Sequence, residues 1–246
     1  MKLAAKTDIG RRDENQDNYR AARLDDGTAW GLICDGMGGP KGGRLAAQLA
    51  SETMQERFLQ GLSGCAAGEE RSFLFSALRQ ANTEIRTAAQ QGGENQFMGT
   101  TAVCCLVRDG VAHLAHVGDS RAYLVRRGEA QQLTRDHSVV QEMVDKGSLT
   151  PEEAYTHPNK NLITRALGVD KTVEPDYTNT TVLPGDVLLL CSDGLSNMVS
   201  AEELGRLTAS TPFFDLPGVL VQKALDANGQ DNITVLLVGI GSEEQA

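Results

Sequence analysis

The apolar positions of this chain follow two periodicities that alternate in blocks. Near the N-terminus the runs LAAKT, NYRAARL and AWGLICD, starting at residues 3, 18 and 29, have the length and patterning of strands. Asp25-Asp26-Gly27, between the last two, is hairpin-turn chemistry. The spacing then lengthens. Ala46, Ala50, Met54 and Phe58 recur at every fourth position, and Leu74, Leu78, Ala81, Ile85 and Ala88 continue at helical spacing. Both stripes predict amphipathic helices that face a core.

Strand-like runs return in TTAVCCLVR, VAHLAHVGD and SRAYLVRR, with Arg108-Asp109-Gly110 and Gly118-Asp119 predicted as hairpin connections. A polar stretch with helical pieces follows from about 134 to 168, then the strands YTNTTVL and DVLLLCSD. Helical patterns start near Ala201 and run again from Asp215 to Asn228, and the strand ITVLLVGI closes the chain. Strands and helices in separate groups, joined by hairpins, predict an α+β fold and not an alternating doubly wound sheet. The expected architecture is two antiparallel sheets packed as a central sandwich, with helices on both outer faces. No repeat, low-complexity tract or Pro-rich linker divides the 246 residues, so a single domain over 1–246 is expected.

Composition narrows the function. With 40% hydrophobic and 23% charged residues the chain is ordinary globular material. The net charge of −10 and the lack of a Lys/Arg cluster argue against nucleic acid as a partner. The longest apolar run, Ile233 to Ile240, is far too short to span a bilayer. Lys6 and Asp8 interrupt the N-terminus before a signal-like segment forms, so no membrane association and a cytoplasmic location are expected. A monomer is expected. Five cysteines, an odd number without a C-x-x-C, predict reduced, mostly buried thiols.

The chemistry lies in the aspartates. Apolar runs deliver Asp35, Asp119 and Asp193 at their ends, Asp231 immediately precedes the last strand, and Asp17 closes Glu14-Asn15-Gln16-Asp17. Any one of these could be an ordinary turn former. Five at strand ends instead suggest carboxylates held on rigid elements around one point. Such a group repels itself unless a cation neutralises it, and oxygen-only ligands select Mg²⁺ or Mn²⁺. The glycine-rich segment 36–43 is not a nucleotide loop, because Lys41 stands where both common glycine patterns need Gly. Its glycines instead suit a sharp turn after Asp35 that lets a carbonyl face a metal. Ser192 lacks the preceding Gly of a nucleophile elbow.

Six motifs then stand in order: Arg12-x-x-Asn15-Gln16-Asp17, Asp35-Gly36-Met37-Gly38-Gly39, Gly99-Thr100-Thr101, Val117-Gly118-Asp119-Ser120-Arg121, Cys191-Ser192-Asp193-Gly194-Leu195 and Asp231-Asn232-Ile233-Thr234. Together they resemble the metal-dependent protein phosphatases, the PPM or type 2C Ser/Thr phosphatases, in their compact bacterial form. The resemblance runs from about Thr7 to Ile240. It implies the same sandwich fold and hydrolysis of phosphoserine and phosphothreonine by a water shared between two Mn²⁺ or Mg²⁺ ions. It further implies that Asp35 bridges the two ions, that the Gly36 carbonyl holds one, and that Asp193 and Asp231 complete the shell of the first ion. Asp17 would support the second ion, partly through water. Asp119, with Asp193, would hold a third and weaker ion, and Arg12 would bind the substrate phosphate, leaving Arg11 as a surface residue. The segment at about 134–166 corresponds to the family's flap beside the active site. The partners implied are phosphoproteins made by a Ser/Thr kinase.

Two departures from the family pattern concern the leaving-group acid. Met37 stands where eukaryotic members often carry His, and Pro40 where many bacterial relatives do, so that role has no residue here. Of the four histidines, His113 and His116 fall on a predicted strand, where a structural role is expected, and His137 and His157 fall in the polar insertion. Two other functions share these motifs: hydrolysis of small phosphoesters, and a catalytically silent binding module of the same fold.

Overall fold

The computed structural model describes residues 1–39, 42–91 and 97–241. Pro40 and Lys41 lie outside them. Elements follow in the order β1 (Lys2–Asp8), β2 (Asp17–Arg23), β3 (Ala29–Met37), α1 (Gly42–Gly61), α2 (Glu70–Gln91), β4 (Gly99–Thr100), β5 (Ala102–Arg108), β6 (Val111–Val117), β7 (Arg121–Arg126) and β8 (Glu129–Gln132). Two short helices, α3 (Val139–Asp145) and α4 (Pro151–Thr156), lie within the polar stretch. The chain continues through β9 (Asp176–Thr181), β10 (Val187–Cys191), α5 (Asp193–Ser196), α6 (Ala201–Ser210), α7 (Leu216–Asp226) and β11 (Ile233–Gly239).

The strands form two antiparallel sheets, one ordered β1-β11-β10-β7-β8 and the other β2-β3-β5-β6-β9, with β4 beside β3. The two-residue period of a strand explains how they pack. In β5, Cys104 and Leu106 point toward α1 and α2, and Val103, Cys105 and Val107 point toward the other sheet. Both faces are buried, so the run reads as continuously apolar. In β10, Leu188 and Leu190 face the inter-sheet core, and Leu189 and Cys191 face α6 and α7. Trp30 of β3 stacks on Phe58 of α1 with ring centroids 4.9 Å apart. The order of layers is therefore helix, sheet, sheet, helix, as the sequence predicts. All five cysteines are free, four of them buried.

One connection differs from expectation. Gly118-Asp119 is not a hairpin: β6 belongs to one sheet and β7 to the other. The chain crosses between sheets there, so Asp119 sits at the seam of the sandwich. The hairpin signal is real chemistry (Gly118 has φ +103°), but a turn residue does not reveal which strand its successor pairs with. The strand β8 also escapes prediction, because its Glu-Ala-Gln-Gln lies on a sheet edge and shows no apolar alternation.

The register brings the strand ends together. Asp17 faces Asp35 across β2 and β3, Asp8 faces Ile233 across β1 and β11, and Cys191 faces Val235 across β10 and β11. All the candidate aspartates thus emerge at one end of the sandwich. The closeness of that end depends on Gly194, where a Cβ would lie 2.0 Å from the Asn232 carbonyl oxygen. Gly194→Ala must push the Asp193 turn away from the Asp231-Asn232 segment. It is expected to cost about 1–3 kcal/mol in urea denaturation. Gly218→Ala on α7 meets nothing within 4 Å and is expected to be neutral or slightly stabilising. Equal stabilities for the two variants would contradict this account of the close approach.

Candidate active site

Asp35, Gly36, Asp119, Asp193, Asp231 and Arg12 line one cavity of about 560 Å³, with Asp13, Glu14, Met37 and Thr101 also on its wall. The structure therefore brings together six of the seven residues singled out in the sequence. The seventh, Asp17, lies behind Asp35 and is buried; its Oδ2 accepts a hydrogen bond from Ser192 Oγ at 2.7 Å.

Short polar side chains fix these carboxylates, and the sequence motifs contain all of them but Asn197 without showing their roles. The Ser192 hydroxyl oxygen also accepts from the Thr234 amide at 2.9 Å, tying β2, β10 and β11 at one point. Thr101 Oγ1 accepts from the Asp35 amide and shares a 2.7 Å hydrogen bond with Ser120 Oγ. Asn232 Oδ1 accepts from the Gln16 amide, and its Nδ2 donates to the carbonyls of Ile9 and Glu14. Asn197 Nδ2 donates to Asp193 Oδ2 at 3.0 Å. Their signal in sequence is a Ser, Thr or Asn at the polar end of an apolar strand, which is also where turns begin.

Arg12 makes a bidentate pair with Asp231, Nε to Oδ1 at 3.0 Å and Nη2 to Oδ2 at 2.9 Å, on an exposed rim. Its Nη1 makes no hydrogen bond among the described residues. Arg11 turns away and bonds Asn228 Oδ1. Among the described residues lining the cavity, Arg12 is the sole cation.

A sequence description of protein phosphatase 2C matches residues 6–232. The chain belongs to that family. Protein phosphatase PhpP of Streptococcus pneumoniae is 38% identical over 99% of this chain and 99% of its own length. Among solved structures, the serine/threonine phosphatase Stp1 from Staphylococcus aureus superposes with a TM-score of 0.91 at 36% identity, over 98% of this chain and 95% of that one. The catalytic domain of the serine/threonine protein phosphatase PstP in complex with 2 manganese ions gives a TM-score of 0.84 at 35% identity, covering 98% of each chain.

The electrostatics of this family member's cavity test whether a cation belongs there. Desolvation, then Asp17, Asp193, Asp119 and Asp231, raise the pKa of Asp35 well above that of an ordinary carboxyl. Desolvation and the neighbouring carboxylates push Asp193 up to about 8. Desolvation and Asp136 bring Asp119 to about 7. Asp17 rises to about 6, chiefly through desolvation, against the opposing hydrogen bonds of Thr234 and Ser192. Two carboxylate oxygens, Asp17 Oδ1 and Asp193 Oδ1, are buried with no hydrogen-bond partner among the described residues. Unpartnered buried carboxylate oxygens are rare and costly, and coordination to a hard divalent cation is one way such an oxygen would be satisfied. The donor set fits such an ion.

A second cluster does not. His116, His137 and Asp176 bring three ligand atoms within 4.8 Å of one another. His116 Nε2 is committed to the Arg135 carbonyl at 2.7 Å, and the Arg165 guanidinium bonds Asp176 Oδ1 at 2.9 Å. This cluster already carries its own cation. His113 shares a 2.8 Å hydrogen bond with the Tyr177 hydroxyl, and His157 Nδ1 accepts from the Asn159 amide just beyond α4.

The raised carboxyl pKa values fix the sign of a pH effect. Folded, Asp193 keeps its proton up to about pH 8, whereas an unfolded Asp ionises near pH ~3.9. Between those values the unfolded chain binds fewer protons, so this group's contribution to stability falls as pH rises. In chelator, Asp193→Asn is expected to be more stable than wild type at pH 8, by roughly 1–3 kcal/mol, with the gain shrinking toward pH 4. Saturating Mn²⁺ should reverse the order, because an ion bound only to the native state stabilises it. Urea titrations at several pH values check this; a variant no more stable at pH 8 than at pH 4, relative to wild type, would contradict it.

Proposed function

We propose that this protein is a metal-dependent phosphatase of phosphoserine and phosphothreonine in proteins, in which Asp35, Gly36, Asp193, Asp231 and Asp17 hold two Mn²⁺ or Mg²⁺ ions. The observation that carries this reading is the pair of buried, unpartnered oxygens on Asp17 and Asp193 beside a cavity of mutually repelling carboxylates. The manganese-bound PstP relative supports the choice of ion. In this reading Asp35 would be shared by the two ions and the Gly36 carbonyl would hold one of them, while Asp193 and Asp231 would serve the first ion and Asp17 the second. Asp119, with Asp193, would hold a third and weaker ion.

When bound, the ions lower the pKa of a water toward neutrality and offset the charge of the phosphoryl group. The rest is work for the chain. Arg12, held at the rim by Asp231 through Nε and Nη2, presents Nη1 to a phosphate oxygen. Asn197 and Thr101 orient Asp193 and the backbone of Asp35, so the oxygen ligands are positioned before substrate arrives. Phosphoryl transfer needs little covalent help from side chains, which suits a cavity with Met37 on its wall and no histidine there among the described residues. The segment 134–166 is a flap bordering the cavity through Asn161 and Ile163. The substrates are products of a Ser/Thr kinase, the chain acts as a single-domain cytoplasmic monomer, and its charge of −10 disfavours nucleic acid. Among the described residues, no helix is long and apolar enough to cross a membrane.

Purified protein is expected to hydrolyse a phosphothreonine peptide with Mn²⁺ or Mg²⁺, and to lose that activity in EDTA. Full activity in excess chelator would contradict the metal reading. Faster turnover of nucleotides or sugar phosphates than of any phosphopeptide would transfer the substrate to the small phosphoesters. Arg12→Ala should raise KM roughly 10- to 100-fold with a smaller effect on kcat, the scale of one charge-assisted hydrogen bond of about 1.5–3 kcal/mol. Unchanged kinetics would remove Arg12 from the phosphate site.

A further inference from the structure

Asp136-His137-Ser138 opens the polar stretch, and the reaction outlined above uses none of the three. Asp136 and His137 tie this segment to the crossing between the sheets, and Ser138 starts the helix that follows. The Asp136 carboxylate accepts a bidentate pair from Arg121, with Nη2 to Oδ2 at 2.7 Å and Nε to Oδ1 at 3.0 Å. The Ser138 hydroxyl caps α3 by accepting from the Gln141 amide. His137 bonds Gly118 twice: its amide donates to the Gly118 carbonyl at 3.0 Å, and its ring Nδ1 accepts from the Gly118 amide at 3.1 Å. Gly118 and Arg121 bracket Asp119 and Ser120. The crossing between the sheets that carries Asp119 is therefore clamped from both sides by two consecutive residues of another segment.

From this geometry we infer that His137 is a positioning residue, which fixes the Asp119 carboxylate through Gly118 and couples it to the flap. Gly118 is buried, and at φ +103° its amide points away from regular strand pairing, so Nδ1 is the acceptor this structure gives it. The hydrogen bond sets the tautomer. A ring nitrogen that accepts carries no proton, so neutral His137 holds its proton on Nε2, which faces Asp176 Oδ2 at 3.4 Å; Arg165 Nη1 also lies 3.2 Å from Nε2, and in this tautomer its two hydrogens go to Asp176 Oδ1 at 2.9 Å and the Glu174 carbonyl at 3.3 Å. Burial, His116 and Arg165 keep the ring neutral by lowering its pKa to about 4. The His116 ring stacks on it with centroids 4.7 Å apart. On the other side, the His137 carbonyl accepts from the Thr164 amide at 2.7 Å, and the Val139 amide donates to the Leu162 carbonyl. The two ends of the flap are thus zipped together beside His137, and any swing of the flap pulls on Gly118.

Two substitutions separate this role from packing. His137→Phe keeps a flat ring against His116 and removes the acceptor. His137→Asn is smaller, but its amide oxygen occupies the position of Nδ1 and can accept from Gly118. Amide hydrogen exchange read by NMR in metal-free protein is expected to show Gly118 exchanging about tenfold faster in the Phe variant, with most of the protection returned in the Asn variant. Calorimetric Mn²⁺ titration should show the weakest binding step loosened about tenfold in Phe and restored in Asn, with the tighter steps unchanged. This second readout rests on Asp119 as an ion ligand; the first does not. A wild-type protein that takes up no Mn²⁺ would overturn the metal reading, and Gly118 exchange would still decide the role of His137. Unchanged Gly118 exchange in the Phe variant, or a weakest Mn²⁺ step that ignores both substitutions while wild type binds the ion, would overturn the proposal. Should the Phe variant not fold, nitrogen shifts of wild-type His137 decide: a protonated Nε2 with a bare Nδ1 coupled to the Gly118 amide is expected, and a protonated Nδ1 would refute it.

Discussion

Repulsion among carboxylates confined to one end of an apolar sandwich is the constraint on which the rest of this structure depends. Desolvation and mutual charge raise Asp35, Asp119 and Asp193 together. Left to itself, such a group would push the two sheets apart where they meet. The surrounding architecture opposes that. The core between the sheets holds them in contact, and Ser192, Thr101 and Asn232 stitch strand ends from different parts of the chain. The site is stable as protein only at a cost, and a bound divalent cation would turn that cost into binding energy.

A comparison within the molecule sharpens the point. His116, His137 and Asp176 also gather three potential ligands. There the charge is already balanced by Arg165, and both histidines make hydrogen bonds to the backbone. Proximity of ligand atoms is common to the two clusters; among the described residues, the unsatisfied buried carboxylate oxygens are those of Asp17 and Asp193. A difference in polar satisfaction, not in residue type, separates a cation site from a structural network.

Much of this was legible in the chain itself. The fourfold spacing of Ala46, Ala50, Met54 and Phe58 became α1, and the double-sided burial of Val103 to Val107 was visible as an unbroken apolar run. The aspartates could be read because each stands at one end of a strand-like run, and a strand end is a fixed place. The crossing at Gly118-Asp119 could not, since a turn signal is local and strand pairing is not. Nor could the contributions of Ser192 and Thr101, whose partners lie far away in sequence. The bidentate hold of Asp231 on Arg12 joins residues 219 positions apart, and no pattern within either motif announces it.

The central claim is that the aspartate cavity, and not the histidine cluster, is where cations bind. Diffraction from crystals grown in Mn²⁺, with data collected at the manganese absorption edge, tests it most directly. Two strong anomalous peaks inside the cavity lined by Asp35, Asp193 and Asp231 are predicted, with a weaker one beside Asp119. Absence of peaks there, or a peak between His116, His137 and Asp176 in their place, would contradict the account.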